Sequence, residues 1–496
     1  MKKAGVLLPI SALNSKYGIG AFSKEAYDFI DYLKESGQSY WQILPLGPTG
    51  FGDSPYQSFS AFAGNPYYIS LEDLIKEGLL SLEECESADF GSNERLIDYE
   101  KIFKTRVKLL KKAYKRANLE NNDAYFSFIS ENVRWLEDYS LFMALKDYYG
   151  GLPWYEWDEE LKHHQASALE EYAIKLQSDV DFWKFTQYKF FEQWQTLKEY
   201  ANEHGIKIIG DIPIYVAYDS ADAWSNSAIF EFDSNKEPIN IAGCPPDGFS
   251  PRGQLWGNPL YRWDLLKKTD YKWWIYRVEY SFKLYDVLRI DHFRGFDEYY
   301  SIPYGNKTAK EGKWEKGPGK DLFDKIKDKL GNKQIIAEDL GFVTEGVKEL
   351  LDHCEFPGMK IFQFAFDSRD TNAQNDHFPH NYEENSVAYT GTHDNPTLVS
   401  WFFEITNDER NLVRSYLCDF HTPDCDIHFP IIGTLLRSNA KLVIIPFQDY
   451  LGADSRTRIN KPSTVGGNWL WRTSSTDFSQ ELKKRIYDIM VITGRI

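Results

Sequence analysis

Four acidic residues stand at or just after short apolar runs, where a catalytic group could be held rigidly. They are Asp211, Asp291, Glu338 and Asp394. Two carboxyl groups beside a glycosidic bond can cleave it, because one attacks the anomeric carbon or guides water while the other, kept protonated by a raised pKa, protonates the leaving oxygen. These residues therefore predict hydrolysis or transfer at a glycosidic bond.

The neighbours of these acids indicate how the roles divide. Side chains alternate faces along a strand, so Arg289 and Asp291 share one face. A nearby guanidinium favours the ionised form of a carboxyl group, which makes Asp291 the candidate nucleophile and Glu338 the candidate acid. By the same alternation Asp339 faces away from Glu338, and we expect it to have a structural role such as capping a helix.

Other interpretations of these residues are open to the same sequence. Each acid could cap the next helix, although four acids at corresponding positions make this less plausible. Carboxylates also suit Mg²⁺ or Ca²⁺, but the guanidinium beside Asp291 argues against a cation there. Cys418, His421, Cys425 and His428 have metal-ligand residue types, yet the loop between the two pairs is too short for one tetrahedral zinc ion. We predict no metal ion and no cofactor.

The elements that must position the acids are short apolar runs that recur along the whole chain. They cover residues 5–8, 40–44, 207–210, 286–291, 334–338, 359–364, 386–390 and 442–447. Most are separated by segments with helical periodicity, such as 182–197. Strand and helix in strict alternation predict parallel pairing with right-handed crossovers. The fold class is therefore α/β, a (β/α)8 TIM barrel, in which functional groups lie at the carboxyl ends of the strands.

Two intervals between runs are too long for simple connections and predict insertions. We assign residues 1–65 to the barrel start with strands 1 and 2, residues 66–180 to a mainly helical inserted subdomain between strands 2 and 3, and residues 181–496 to the rest of the barrel. A loop-rich insertion at about 212–260 is expected to cover the active site.

Composition limits the partners. With 57 Lys and Arg against 74 Asp and Glu the net charge is −17, which argues against nucleic acid and anionic membranes as partners. Five cysteines without a repeated spacing do not indicate a disulfide framework, and no apolar stretch is long enough to span a bilayer. We expect a cytoplasmic protein.

Eight short motifs occur in order along the chain. They are Tyr17-Gly18-Ile19-Gly20, Gly52-Asp53-Ser54-Pro55-Tyr56-Gln57-Ser58, Gly210-Asp211-Ile212-Pro213, Trp256-Gly257-Asn258-Pro259, Arg289-Ile290-Asp291-His292-Phe293-Arg294-Gly295, Ala337-Glu338-Asp339-Leu340-Gly341, Thr392-His393-Asp394-Asn395 and Gly467-Asn468-Trp469. In this order and spacing they resemble the amylomaltase (disproportionating enzyme) family of 4-alpha-glucanotransferases, a branch of the alpha-amylase superfamily. The resemblance extends over essentially the whole chain.

The resemblance implies roles for residues within these motifs. Asp291 matches the family's nucleophile, Glu338 its general acid and base, and Asp394 the third acid, which binds sugar hydroxyls. Arg289 and His393 match residues that orient the nucleophile and hold the sugar. Further glucan contacts are implied for Ser54, Tyr56, Asp211 and Trp256.

A transferase must keep water from its covalent intermediate, which requires a lid. The segment 245–256 is the candidate, since it is rich in Pro and Gly. Its Phe249 and Trp256 can stack on sugar rings, and its Asp247 and Gln254 can bond to hydroxyls.

The resulting hypothesis is transfer of α-1,4-glucan segments between maltooligosaccharides or glucose by retaining double displacement. One alternative is a retaining hydrolase of the α-amylase type, and a second is an inactive barrel that only binds glucan. The sequence leaves the oligomeric state open.

Overall fold

The computed structural model describes residues 2–50, 52–246, 251–341, 343–367 and 373–496. Within them the strands are β1 (Lys3–Leu7), β2 (Tyr40–Gln42), β3 (Lys207–Pro213), β4 (Asn240–Cys244), β5 (Gln254–Pro259), β6 (Val287–Asp291), β7 (Glu298–Pro303), β8 (Lys313–Lys316), β9 (Ile335–Ala337), β10 (Gly358–Ile361), β11 (Ser386–Tyr389) and β12 (Leu442–Pro446). The α-helices are α1 (Lys24–Glu35), α2 (Leu71–Lys76), α3 (Leu82–Glu86), α4 (Tyr99–Arg116), α5 (Asp123–Tyr148), α6 (Glu159–Lys162), α7 (Ala166–Lys175), α8 (Gln177–Glu203), α9 (Ala221–Ser225), α10 (Trp263–Lys268), α11 (Lys272–Leu284), α12 (Lys320–Leu330), α13 (Glu345–Cys354), α14 (Leu398–Glu404), α15 (Asn407–Leu417), α16 (His428–Arg437), α17 (Phe447–Tyr450) and α18 (Gln480–Thr493).

Parallel strands close into a barrel in the order β1-β12-β11-β10-β9-β6-β3-β2. Each of these strands lies on one of the predicted apolar runs, so the predicted (β/α)8 barrel of the α/β class is confirmed. The runs are apolar almost throughout because helices cover the outer face while side chains fill the interior. The interior cluster consists of Leu7, Ile209, Val287, Ile336, Met359, Ile361, Val387, Tyr389 and Ile444.

The alternation of side chains along each strand predicts which residues point inward at the barrel mouth. Ile209, Val287 and Ile336 belong to the interior cluster. Because every second residue shares a face, the same face continues toward the carboxyl ends as Asp211 on β3, Arg289 and Asp291 on β6, and Glu338 just after β9. The residues between, including Leu288 and Ile290, pack in the outer core instead.

The long interval between β2 and β3 holds α2 to α8. The two longest, α5 with 26 residues and α8 with 27, pack against each other, and α8 buries a broad face that includes Phe182, Phe185, Phe190 and Trp194. The insertion is therefore mainly helical, as predicted. Helix α8 runs through position 180, and the domain division at 65 and 180 stays a prediction.

A second sheet interrupts the barrel on both sides of β6. It is antiparallel, with the order β5-β4-β7-β8, and it has a small core of Ile241, Tyr300, Ile302 and Ala309. The segment at about 212–260, which was expected to be loop-rich, also contains strands β4 and β5, which the sequence did not predict. These strands, Asn-Ile-Ala-Gly-Cys and Gln-Leu-Trp-Gly-Asn-Pro, lack the β-branched pattern that marks a strand in sequence.

For the part of the chain described, none of the helices combines the length and apolar character that crossing a bilayer requires.

Candidate active site

Arg289 joins two acids at the barrel mouth. Its Nη1 lies 2.6 Å from Asp211 Oδ2, and its Nη2 lies 3.1 Å from Asp291 Oδ1. The Tyr56 hydroxyl donates to the same Asp211 oxygen at 2.8 Å. The Asp211 side chain is fully buried, whereas that of Asp291 is 30% exposed. Asp211 therefore anchors Arg289 in this structure, and its expected direct contact with glucan stays a prediction.

Glu338 is held beside Asp291 by the neighbouring strand end. Strands β6 and β9 pair Arg289 with Ile336 and Ile290 with Ala337, so the next residues in register are Asp291 and Glu338.

Backbone amides fix the Glu338 carboxylate. Oε2 accepts a hydrogen bond from His292 N at 2.6 Å, and Oε1 accepts one from Leu340 N at 3.1 Å. His292 has a φ of 53°, in the left-handed region. This uncommon conformation for a non-glycine residue occurs directly after Asp291, where the chain turns to direct its N–H at Glu338.

The two acids share an environment that favours protonation. Burial raises the pKa of Asp291, the Arg289 guanidinium opposes this shift, and the charges of Glu338, Asp211 and Asp394 add to it. Burial also raises the pKa of Glu338, against Arg289 and the His292 N–H. The pair therefore keeps a proton to higher pH than two free carboxyl groups would. This is the condition for one acid to act as a proton donor.

Aromatic rings surround the third acid. Tyr56 stacks on His393 with ring centroids 5.1 Å apart and an interplanar angle of 13°. Trp469 lies 6.0 Å from both rings. Burial lowers the pKa of His393, so the ring is neutral at pH 7 and can donate or accept a hydrogen bond.

Asp394 is more exposed than Asp211 and Asp291, with 45% of its side chain accessible. Its Oδ1 lies 3.3 Å from His393 Nε2 and accepts a hydrogen bond from Asn460 Nδ2 at 2.7 Å. Arg458 Nη2 donates to the Asp394 carbonyl at 2.6 Å. The protein thus holds Oδ1, whereas no described residue donates a hydrogen bond to Oδ2, which leaves that oxygen for a ligand.

The predicted lid is described only in part. Trp256 Nε1 donates to Gln254 Oε1 at 3.1 Å, and the Trp256 ring meets His292 edge-on at 4.7 Å. Asp247 and Phe249 lie outside the described residues. Trp256 therefore contacts the same residue, His292, whose backbone N–H donates a hydrogen bond to Glu338.

Ser54 supports Tyr56 at the mouth. Its Oγ accepts a hydrogen bond from Tyr56 N at 3.3 Å. The structure thus joins Asp211, Asp291, Asp394, Arg289, His393, Tyr56 and Ser54 through direct contacts, and it places Glu338 beside Asp291 through the strand register.

Two contacts of Asp394 were not among the predicted site residues. Asn460 and Arg458 lie more than 60 positions further along the chain, in an irregular segment without a periodic pattern. The signal closest to them is Gly467-Asn468-Trp469, which belongs to the family resemblance and ends in the ring that packs on Tyr56 and His393.

Asp339 does not cap a helix. Its Oδ1 accepts a hydrogen bond from Met359 N at 2.7 Å, at the start of β10, and Thr344 caps α13 instead. The expected helix cap is wrong, although the contact is structural. Across the described residues, no group of three or more His, Cys, Asp or Glu side chains could hold a metal ion.

Comparisons with known proteins agree with this geometry. A family model described as 4-alpha-glucanotransferase matches residues 8–477. The 4-alpha-glucanotransferase of Clostridium butyricum is 49% identical over 98% of this chain and 99% of that protein, and that of Thermus thermophilus is 43% identical over 99% of both. A solved structure of the amylomaltase from Streptococcus agalactiae in complex with acarbose has a TM-score of 0.96 and 42% identity, covering all of both chains. The chain belongs to the 4-alpha-glucanotransferase family.

Proposed function

We propose that this chain performs glucan transfer by double displacement, with Asp291 as nucleophile, Glu338 as acid and base, and Asp394 as the acid that binds sugar hydroxyls. The substrates are α-1,4-glucan donors and maltooligosaccharide or glucose acceptors. The observation that carries the proposal is the pairing of a guanidinium-bound Asp291 with an amide-bound Glu338 at neighbouring strand ends.

Partner charge supports this division of roles. Asp291 contacts the cationic Arg289, whereas Glu338 accepts hydrogen bonds from neutral backbone amides. A cation favours the ionised state more than a neutral donor does. The shared proton is therefore assigned to Glu338, which leaves Asp291 ionised for attack.

In the first step an oxygen of Asp291 bonds to the anomeric carbon as the glycosidic C–O bond breaks. The leaving 4-oxygen takes the proton of Glu338. In the second step the 4-hydroxyl oxygen of the acceptor attacks the same carbon, its proton returns to Glu338, and the bond to Asp291 breaks. Two inversions give net retention.

Transfer rather than hydrolysis requires that a sugar reaches the intermediate before water does. The rings of Trp256, Tyr56 and Trp469 lie near the acids and can help to exclude water. Asp247 and Phe249, together with Gln254, are proposed to complete the lid over the intermediate.

A cytoplasmic location is proposed from the net charge and the free thiols. The same net charge is the reason to propose that nucleic acids and membranes are not partners.

Pure maltotriose tests the reaction. We expect glucose and a ladder of longer maltooligosaccharides, with little net gain of reducing ends. The variant Asp291→Asn should lose nearly all of this turnover, while Asp488→Asn, at an aspartate with a 51% exposed side chain on α18, should keep it. Products that are only shortened, with reducing ends rising one for one, would mean a hydrolase, and full turnover in Asp291→Asn would remove Asp291 from the mechanism.

A further inference from the structure

A second pocket lies where the antiparallel sheet meets helix α10. Its volume is about 480 Å³, within the range of roughly 300–1,000 Å³ typical of small-molecule sites. Its lining residues include Glu231, Phe232, Ile239, Arg262, Trp263 and Asp264. None of the pocket's lining residues is among those predicted for the barrel mouth.

Two aromatic rings form walls of this pocket and are anchored from behind. The half-buried Trp263 packs against Tyr261 with ring centroids 5.0 Å apart and against Trp274 at 6.2 Å. The half-buried Phe232 packs against Tyr218 at 5.5 Å. Anchored rings offer flat apolar surfaces at low entropic cost, as sugar-binding surfaces require.

Polar groups line the same pocket in balanced charge. Glu231 is half-buried, and its Oε2 accepts a hydrogen bond from Asn240 Nδ2 at 3.2 Å. Within the described residues its Oε1 has no partner, and Arg262 makes no ion pair. The lining holds two acids, Glu231 and Asp264, and two bases, Arg262 and Lys316. Asp264 pairs with Lys268 and Lys316 pairs with Glu298, so the charges of both are already compensated. Equal numbers of acids and bases favour a neutral ligand with many hydroxyl groups over an anion or a cation.

We propose that this pocket is a second binding site for α-1,4-glucan, which holds a distant segment of a long chain while its end reacts at the barrel mouth. The proposal rests on the glucan activity of the family. A layer of rings separates the two sites, since the Tyr261 ring lies 6.2 Å from Tyr215, and the Tyr215 ring lies 6.3 Å from Trp256. To contact both sites, a glucan would have to run over the protein surface around these buried rings, which only a long chain can do.

Variants at the pocket test the proposal without touching the barrel mouth. The double variant Arg262→Ala/Asp264→Ala changes only exposed residues, and Trp263→Ala removes a wall, with Trp263→Phe keeping its packing. Phe403→Ala, at a 52% exposed ring on α14, is the matched control. Each folded variant is compared by migration in native gels containing amylopectin and by KM for amylose and for maltotriose.

For the double variant and for Trp263→Ala we expect weaker retardation by amylopectin. The KM for amylose should rise about 3- to 10-fold, because the pocket would bind glucan up to about tenfold more weakly. The kcat and KM for maltotriose should stay within about two-fold, and Trp263→Phe should retain most of the binding.

Unchanged retardation and amylose KM in the folded double variant would refute the second site. An equal loss on maltotriose and amylose would also refute it, because the pocket would then act only through the fold. If the unmodified enzyme fails to disproportionate maltotriose, the proposed function fails, whatever the pocket variants do with amylopectin.

Discussion

Arg289 contacts two carboxylates that differ in exposure, and this difference determines what its removal would do. Asp291 can reach solvent, but Asp211 cannot. In Arg289→Met the Asp211 carboxylate would stay buried without its cation. We expect a loss of roughly 3–5 kcal/mol in the free energy of unfolding, measured by urea denaturation.

The control for this experiment is Arg456→Met, because the Arg456 side chain is 88% exposed and pairs with Asp454 at the surface. That change should leave the free energy of unfolding nearly unchanged, because water screens an exposed ion pair. Equal costs for the two variants would mean that Arg289 is not needed to neutralise Asp211.

Glu338 is predicted to matter most when the leaving group needs a proton. We expect Glu338→Gln to lower kcat on maltotriose by about 10²- to 10⁴-fold. With α-glucosyl fluoride as donor, whose leaving group departs without a proton, formation of the covalent intermediate should be far less affected. Turnover of maltotriose and formation of the intermediate from α-glucosyl fluoride are measured for the variant and for the unmodified enzyme. If the variant loses the same factor on both donors, Glu338 is not the general acid.

The sequence correctly predicted which side chains share a face, because side chains alternate along a strand. Arg289 and Asp291 share the inward face, and Arg289 contacts the Asp211 of the neighbouring strand, because β3 and β6 are in register. The contacts of Asn460 and Arg458 with Asp394 could not be foreseen in this way. They depend on the path of an irregular segment, which tertiary packing fixes rather than local pattern.

At the scale of elements, Asp449 ties together the ends of neighbouring barrel strands. Its Oδ1 accepts a hydrogen bond from Leu398 N at the start of α14, and its Oδ2 accepts one from the Thr390 hydroxyl just after β11. Burial raises the pKa of Asp449 to about 7, against these two hydrogen bonds. The folded protein therefore holds a proton that the unfolded chain releases near pH 4.

This difference makes stability depend on pH. The contribution of a raised pKa is present below about pH 4 and is lost as pH rises toward 7. Asp449→Asn cannot ionise, so its free energy of unfolding relative to the unmodified protein should increase by roughly 2–3 kcal/mol between pH 5 and pH 8. Urea denaturation at both values measures this. Parallel pH profiles would contradict it, and Asp488→Asn serves as the exposed control.

Elements were predictable where burial imposed a pattern. The barrel strands are covered on both faces, so they read as apolar runs between helical segments. Strands β4 and β5 carry Gly, Asn, Gln and Pro, and β5 is exposed at Leu255. Strand β5 pairs with β4, and β4 pairs with β7, which comes after β6 in the chain. No local pattern encodes this long-range pairing.

At the scale of the whole molecule, a buried arginine lies where the first and last strands of the barrel meet. Arg495 is fully buried and donates hydrogen bonds to the carbonyl oxygens of Lys3, Leu436, Ser438 and Ala440. These carbonyls belong to β1, to helix α16 and to the segment that leads into β12. The side chain thus joins the first and last strands of the ring, which pair with each other.

We expect Arg495→Ala to lower the free energy of unfolding by at least about 3 kcal/mol, because several buried carbonyl groups lose a charged donor at once. Differential scanning calorimetry or urea denaturation measures the change. Arg437→Ala, an exposed arginine on α16, is the matched control and should have little effect. A small effect of Arg495→Ala would show that strand pairing alone closes the ring.

The two insertions differ in how the chain enters and leaves them. Helices α2 to α8 form one uninterrupted stretch between β2 and β3, whereas the antiparallel sheet is assembled from segments before and after β6. A chimera with a related enzyme could exchange the helices with two junctions. Exchanging the sheet would need four junctions or would carry along the strand that ends at Asp291. Recombination should therefore vary the helical insertion freely, while the sheet and Asp291 are inherited together.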